Sequence, residues 1–249
     1  MYKLSVITIN YNNKEGLENT VKSVVSQSTP DFEFIIVDGG STDGSMDTID
    51  KYKSRISKWI SEEDKGIYNA MNKGIDMATG EYCLFLNSGD IFYNSKIIQY
   101  FISLSLAGDI VYGNLLFTYP NGAKRKGVMP SMLSFRHMMQ DTLWHPVSFI
   151  KRKLFSTIGK FDEHFTIVSD YDFFVKAILV HKVSTQKINR IIANFKQDGV
   201  SASSENKTKI EQERREVQLK YFKKEEIEEA LKIGATEKLI KRVKRRIGI

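Results

Sequence analysis

The chain has 249 residues, and its 41% hydrophobic content suffices for one large α/β domain, alone or with a small appendage. One cysteine, Cys83, rules out a disulfide framework within the chain, and no run reaches the roughly 18 apolar residues of a transmembrane helix. The net charge of +7 is concentrated at residues 238–249, which hold six basic residues and no acidic one, and this argues against a broad nucleic-acid-binding surface.

Strand and helix patterns alternate over the first 115 residues or so. Apolar and β-branched runs predict strands at Lys3–Asn10, Phe32–Val37, Ile56–Ile60 and Tyr82–Leu86. Helical patterns lie between them at Lys14–Ser28, Ser45–Tyr52 and Ile67–Met77. This order predicts an α/β fold with a mostly parallel sheet flanked by helices. The first strand starts without signal-peptide features, so we expect a cytoplasmic protein.

The alternation weakens after Asp90. We predict strands at Asp109–Tyr119, Val147–Ile150 and Val183–Phe195, and a helix at Asp170–Val180. Beyond Glu205 the chain is charged and helical. The predicted organisation is therefore a domain at 1–204, divided into halves 1–115 and 116–204, followed by a basic helical extension at 205–249.

Polar side chains follow three of the predicted strands, where parallel strands share one edge of the sheet. The candidates are Thr8, Asn10 and Tyr11 at the end of the first strand, Asp38 and Gly40 after the second, and Asn87, Ser88 and Asp90 after the fourth. Ligands of open α/β sheets bind in this position. Because these residue types also favour turns, plain turns are the alternative.

The chemistry of these residues suggests a nucleotide ligand, although neither GxGxxG nor a P-loop is present. Asp38 could accept hydrogen bonds from a base or ribose, or could simply close a turn. A helix beginning near Ile67 would direct free N–H groups at an anion, with Lys65 and Asn69 beside it. A capped, solvated helix start is the alternative.

Two carboxylates are candidates for catalysis. Asp90 could hold Mg²⁺ or Mn²⁺ together with substrate phosphates. Asp170 could act as a general base towards an acceptor hydroxyl, or could cap its helix. Trp144 could stack on a sugar, and His145 could contact the acceptor, the diphosphate or the metal, although a lone histidine is more often structural.

Five ordered segments resemble glycosyltransferase family 2, the inverting enzymes with the GT-A nucleotide-sugar-binding fold. They are SVITINYNN, EFIIVDGGSTDGS, DKGIYNAMNKG, GEYCLFLNSGD and FDEHF followed by SDYDFFVKA, within residues 3–178. The similarity is greatest to bacterial enzymes that assemble exopolysaccharide, O-antigen or colanic-acid-type glycans. Gly89 and Ser169 depart from the family pattern, because many members carry acidic residues at both positions.

The resemblance implies a role for each matching residue. Thr8, Asn10 and Asp38 would bind the nucleoside, Lys65 and Asn69 would lie along the nucleotide and its diphosphate, Asp90 would bind the metal, and Asp170 would be the base. It implies a metal-dependent, inverting transfer from a nucleotide-diphospho-sugar, with UDP favoured, to a glycan or lipid-linked glycan. A sugar nucleotidyltransferase and an inactive nucleotide-sugar-binding relative are the alternatives.

Two C-terminal segments carry further predictions. Residues 237–249, EKLIKRVKRRIGI, place apolar side chains on one helical face and cations on the rest, which suits a helix lying on an anionic membrane surface. A solvated terminal helix is the alternative. Residues 197–201 could form a loop that closes over the donor, or an ordinary surface turn.

Overall fold

A computed structural model describes residues 2–196 and 204–233 as an α/β fold. The predicted donor loop at 197–201 and the basic tail at 238–249 lie outside these residues. Within the described ranges, nine strands form one sheet with helices on its faces. None of the helices seen there is long and apolar enough to cross a membrane.

In the first half of the chain the predicted strands and helices occur in the predicted order, and their bounds are close to the predicted ones. The strands are β1 Leu4–Asn10, β2 Glu33–Asp38, β3 Lys58–Ser61, β4 Tyr82–Phe85, β5 Ile91–Phe92, β6 Ile110–Thr118, β7 Lys124–Gly127, β8 Ser148–Lys151 and β9 Thr185–Lys196. The helices are α1 Lys14–Val25, α2 Ser45–Tyr52, α3 Ile67–Met77, α4 Ile97–Ser103, α5 Phe135–Gln140, α6 Lys153–Thr157, α7 Ser169–Val175 and α8 Lys207–Tyr221, with a further helix at 224–233. Short 3₁₀ turns occupy Lys53–Arg55, His145–Val147 and Ser204–Asn206, and a π-helix at Lys176–Val180 extends α7.

The first four strands form the parallel half of the sheet, in the order β3-β2-β1-β4. The chain order reverses between β1 and β4, and such a switch point opens a crevice beyond the carboxyl ends of the strands. The register places Asn10 beside Asp38, and Asp38 beside Ser61. The polar ends of the strands therefore meet at one edge, as predicted.

The rest of the sheet is mixed. β8 pairs antiparallel with both β4 and β6, whereas β9 runs parallel to β6. β5 and β7 are short antiparallel additions, and β7 follows β6 through a hairpin turn. The predicted α/β class with a flanked central sheet is confirmed, and the parallel arrangement is confined mainly to the first four strands.

The alternating side chains of the central strands form two apolar layers, one on each face of the sheet. Ile7, Ile35 and Phe85 pack in one layer, which includes residues of α3 and α7. Val6 and Leu84 pack in the other layer, with residues of α1 and α4. Strands that are buried on both faces explain the continuous apolar runs in the sequence.

Candidate active site

A cleft of about 630 Å³ opens beyond the carboxyl ends of β1 and β4, a size suited to a small-molecule ligand. Eight of the predicted site residues line it: Asn10, Tyr11, Asn87, Ser88, Asp90, Trp144, His145 and Asp170. These residues come from β1, from the turn after β4, from the segment before β8 and from α7. The fold thus brings together side chains that are up to 160 positions apart, from Asn10 to Asp170.

The turn after β4 presents Asp90 to the cleft. Gly89 has a φ of +103°, a left-handed conformation that residues with a Cβ rarely adopt. The backbone N–H of Gly89 donates to the Thr20 hydroxyl over 3.0 Å, and that hydroxyl donates to the Asp90 carbonyl over 2.7 Å. Asp90 is only 5% exposed. Thr20 of α1 therefore holds this turn, and the carboxylate of Asp90 lies at the end of the turn.

Asp170, at the start of α7, is fixed by three donors. The Tyr68 hydroxyl shares its proton between the Ile167 carbonyl at 2.6 Å and Oδ1 of Asp170 at 3.2 Å, and the backbone N–H of Tyr171 donates to the same Oδ1 over 2.8 Å. Its Oδ2 lies 3.1 Å from Nδ1 of His145. On the other side of the imidazole, Nε2 lies 3.4 Å from the Asn87 amide nitrogen. His145 therefore bridges the turn after β4 and the start of α7.

The electrostatics of His145 join the two candidate carboxylates. Burial lowers the pKa of its imidazole, but the hydrogen bond to Asp170 and the negative charges of Asp170 and Asp90 outweigh burial, so the pKa is raised above 6.5. Both carboxylates therefore act on one imidazole, although 80 positions separate them. The negative charge of each carboxylate therefore favours the protonated form of the His145 imidazole.

We expect the pKa of His145 to fall when Asp170 is replaced by Asn, because the change removes both a hydrogen bond and a negative charge. An NMR titration of the imidazole nitrogens measures this directly. In the unmodified protein the raised pKa makes the pair stabilising below about pH 6.5, and this contribution is lost as the pH rises through the folded-state value. An unchanged pKa in the variant would contradict the contact.

Other predicted site residues lie beside the cleft and support its edge. Asp38 is fully buried and accepts hydrogen bonds from Asn10 Nδ2, from the Ser41 hydroxyl and backbone N–H, and from the Ser61 hydroxyl. Burial raises its pKa, but these donors more than compensate and lower it overall. Thr8 is also buried and donates to the Leu86 carbonyl over 2.7 Å.

The start of α3 contacts the loop between α6 and α7. Asn69 donates to Glu163 over 2.9 Å and accepts from the backbone N–H of Lys65. Lys65 is exposed, and neither side chain is part of the cleft lining. Gly40 has a φ of +78°, and a Cβ there would lie 3.4 Å from the backbone nitrogen of Glu63. The two neighbours of Lys65 in the chain, Asp64 and Gly66, do line the cleft.

The family model described as Glycosyl transferase family 2 matches residues 5–166. The chain belongs to this family. It is therefore a glycosyltransferase. The match to the family model runs from β1 through α6 and ends in the loop before Asp170.

Curated relatives extend the match beyond that segment. A PGL/p-HBAD biosynthesis glycosyltransferase of Mycobacterium bovis is 28% identical over 205 residues, covering 80% of this chain and 78% of that protein. A glycosyltransferase of Mycobacterium tuberculosis is 32% identical over 206 residues, covering 81% and 78%. The putative teichuronic acid biosynthesis glycosyltransferase TuaG of Bacillus subtilis is 42% identical over 97 residues, covering 38% of each chain.

Solved structures with little sequence identity share the fold. TarS 1–349 of S. aureus, in complex with UDP-GlcNAc, has a TM-score of 0.65 at 22% identity, covering 81% of this chain and 61% of that one. The mannosyltransferase PcManGT of Pyrobaculum calidifontis, in complex with GDP-Man and Mn²⁺, has a TM-score of 0.58 at 16% identity, covering 77% and 56%. The glycosyltransferase thus spans about three-fifths of these two structures.

Helix α8 forms part of the cleft of this glycosyltransferase, which the sequence did not predict. Ile210 and Arg214 line the cleft from α8. The Arg214 guanidinium lies 4.0 Å from the centre of the Tyr171 ring and donates to the Asp141 carbonyl. Gln218 donates to the Tyr171 hydroxyl over 3.1 Å. The segment predicted as an extension therefore packs directly on the helix that carries Asp170.

Glu213 of α8 makes several hydrogen bonds to the loop before α7. Its carboxylate accepts hydrogen bonds from the backbone N–H groups of Thr166, Ile167 and Val168, and from the Thr166 hydroxyl. Burial raises its pKa, but these donors outweigh burial and lower it below 4.5. A buried acidic residue thus holds the loop that leads into Asp170.

Replacing Glu213 by Ala should lower the free energy of unfolding by about 3 kcal/mol, because several buried donors lose their acceptor. Chemical denaturation measures the loss, and Glu213→Gln, which keeps one accepting oxygen, should lose less. Because the folded-state pKa is depressed, the stabilisation is present above about pH 4.5 and is lost as the pH falls through the folded-state value. Equal stabilities of the Ala variant and the unmodified protein would contradict this role.

The donor set of the cleft suits a divalent metal held mainly by substrate. The described residues contain no group of three or more His, Cys, Asp or Glu side chains placed to hold a metal ion. Asp90 alone presents a carboxylate at the turn, and the buried Oδ1 of Asn87 has no hydrogen-bond partner. Because Mg²⁺ is commonly held by one or two carboxylates, phosphates and waters, these oxygens fit such an ion.

Proposed function

We propose that this glycosyltransferase moves a sugar from a nucleotide-diphospho-sugar to a hydroxyl of a glycan acceptor, with inversion at the anomeric carbon. The observation that carries the proposal is the placement of Asp90 and Asp170 in one cleft, both acting on the imidazole of His145. Asp90 would act at the diphosphate of the donor, and Asp170 would act on the hydroxyl of the acceptor.

In the proposed reaction the acceptor oxygen attacks the anomeric carbon on the face opposite the diphosphate. Asp170 takes the proton of the acceptor hydroxyl, while the bond between the anomeric carbon and the diphosphate oxygen breaks. The nucleoside diphosphate leaves with the bonding electrons. Tyr68 and His145 hold the two carboxylate oxygens of Asp170, so the base is oriented before the acceptor arrives.

Asp90 would hold Mg²⁺ or Mn²⁺ together with the donor phosphates, and Asn87 would add an amide oxygen. When bound, such an ion supplies positive charge that stabilises the leaving diphosphate. Asn10, Tyr11 and Ser88 lie on the same side of the cleft as the turn after β4, because the Ser88 hydroxyl donates to Asn10 over 2.7 Å. They would contact the nucleotide, next to Asp38.

The comparisons favour particular substrates for this proposal. TarS binds UDP and UDP-GlcNAc, which supports a UDP-sugar donor, and PcManGT binds GDP-Man together with Mn²⁺, which supports a divalent metal. The names of the relatives point to glycolipid and teichuronic acid biosynthesis. We therefore propose an acceptor glycan, carried on a lipid, that belongs to a bacterial surface polysaccharide or glycolipid. Trp144 and His145 would contact the acceptor.

A donor screen tests the proposal. The purified protein is incubated with UDP-, GDP- and dTDP-sugars, with Mg²⁺, Mn²⁺ or a chelator, and with lipid-linked acceptors, and the release of nucleoside diphosphate is followed. We expect release with one class of donor, increased by acceptor and reduced by the chelator. Release of pyrophosphate from a nucleoside triphosphate and a sugar phosphate would instead indicate a nucleotidyltransferase.

The proposed location is the cytoplasmic face of a membrane, with the basic tail in contact with anionic lipids. Deleting residues 238–249 removes six cations, so association with anionic liposomes should fall strongly, while donor binding should be retained. Co-sedimentation with vesicles measures the first and calorimetry the second. Unchanged sedimentation of the truncated protein would reject this role of the tail.

A further inference from the structure

A second basic surface lies on the folded domain itself. We call it the β7 surface, and it comprises strand β7 and the following segment as far as Met132. Lys124, Arg125 and Lys126 are all exposed. The chain between Asp109 and Asp141 contains no acidic residue, so no carboxylate of this segment balances these charges.

The alternation of β7 divides its side chains between two faces. Gly127 faces inward, where a Cβ would lie 2.5 Å from the Phe117 ring and 2.7 Å from the Trp144 ring. Because successive residues of a strand point to opposite faces, Lys124 and Lys126 share the outward face, and the exposed Val128 follows directly after the strand. Two cations therefore point the same way, towards solvent, and an exposed apolar side chain comes directly after the strand that carries them.

Protection of an edge strand explains only part of this pattern. Lysines often occupy edge strands because they discourage pairing with other chains, and β7 pairs with β6 alone among the described strands. That protection does not need exposed apolar residues. Yet Val128 is 59% exposed and Met132 is 72% exposed, while Met129 between them is buried. The two exposed side chains follow the cations in the chain, in the segment directly after β7.

We infer that the β7 surface binds an anionic lipid bilayer, with Lys124 and Lys126 against the headgroups and with Val128 and Met132 inserted among them. Cations beside apolar side chains match the charge and the polarity gradient of such an interface. This surface is separate from the tail and is made of described residues. The binding itself does not depend on the sugar-transfer reaction.

The position of the surface relates it to the cleft. Phe117 and Trp144 line the cleft, and the inner face of β7 packs on both rings. The outward face is therefore one strand away from the cleft wall. A bilayer bound there would lie beside the cleft, so an acceptor anchored in that bilayer would have a short distance to travel.

Charge neutralisation tests the first half of the inference, in the full-length protein with its tail intact. Each cation near an anionic surface contributes about fivefold to binding, so Lys124→Gln with Lys126→Gln should weaken partitioning to phosphatidylglycerol vesicles about 25-fold. Arg125 is left unchanged, because it donates to the Tyr119 hydroxyl and lies over the Phe117 ring. Lys53→Gln with Lys96→Gln is the matched control at two exposed lysines elsewhere.

Site-specific labelling tests insertion. The single native cysteine, Cys83, is fully buried, so a cysteine introduced by Met132→Cys can be labelled selectively with an environment-sensitive fluorophore. We expect a blue shift and increased emission with phosphatidylglycerol vesicles, and little change with phosphatidylcholine vesicles. Lys53→Cys, labelled in the same way, should report no insertion.

Three outcomes would overturn the inference. The first is equal weakening by the control pair Lys53→Gln with Lys96→Gln, which would indicate a response to net charge alone. The second is unchanged partitioning of the Lys124 and Lys126 variant, and the third is an unshifted fluorophore at position 132. Because Lys124 and Lys126 face away from the cleft, their variant should keep the sugar-transfer rate measured with a soluble acceptor, so failure of this inference is distinguishable from failure of the proposed function.

Discussion

Replacing Asp170 by Asn should lower kcat for sugar transfer by about 10³-fold, equivalent to about 4 kcal/mol of transition-state stabilisation. The amide keeps the size of the side chain but cannot accept the acceptor proton. Donor affinity should change little, because Asp170 acts on the acceptor hydroxyl. Steady-state kinetics and calorimetry with the donor measure the two quantities separately.

Asp172→Asn is the matched control for that experiment. Asp172 lies two positions further along α7, is buried, and contacts Lys220 and Tyr221 instead of the cleft. Its replacement should reduce stability while leaving the transfer rate of the folded protein largely intact. If both variants lost transfer to the same degree, disruption of α7 would explain the loss, and the assignment of Asp170 as the base would fail.

Replacing Asp90 by Ala should lower kcat/KM by about 10²- to 10³-fold, because the leaving diphosphate loses its principal source of stabilisation. The variant should also lose the rate increase that Mg²⁺ or Mn²⁺ gives. A metal titration of the transfer rate, made for both proteins, measures the effect.

The control is Asp64→Asn, which changes another carboxylate of the cleft lining. It should retain the metal response, although Asp64 also accepts a hydrogen bond from the backbone N–H of Gly66. A metal response that persists in Asp90→Ala and disappears in Asp64→Asn would move the metal site to the loop before α3.

The parallel half of the fold was predictable because its signals are local. Helix α3 occupies Ile67–Met77 as predicted, since its apolar residues recur at helical spacing. The convergence of the ends of β1, β2 and β4 followed from parallel pairing alone. The antiparallel additions were harder, because β5 has two residues and β7 reads KRKG, which carries no apolar strand pattern.

The orientation of polar side chains could not be predicted in the same way. A carboxylate at a strand end looks the same in sequence whether it faces a ligand or, as for Asp38, three neighbouring side chains. Glu213 lies in the charged run EQERRE, which suggests an exposed face, so its burial under the loop before α7 had no local signal. Its partners lie about 45 residues earlier, at Thr166–Val168.

The crystal structure of the Asp170→Asn variant with an intact UDP-sugar and Mn²⁺ tests the central claim most directly. We expect the diphosphate beside Asp90, and the anomeric carbon between that diphosphate and residue 170. An acceptor hydroxyl placed for attack would then lie about 3 Å from both the carbon and the side chain of residue 170. A diphosphate bound away from Asp90, or residue 170 on the same face of the sugar as the diphosphate, would contradict the account.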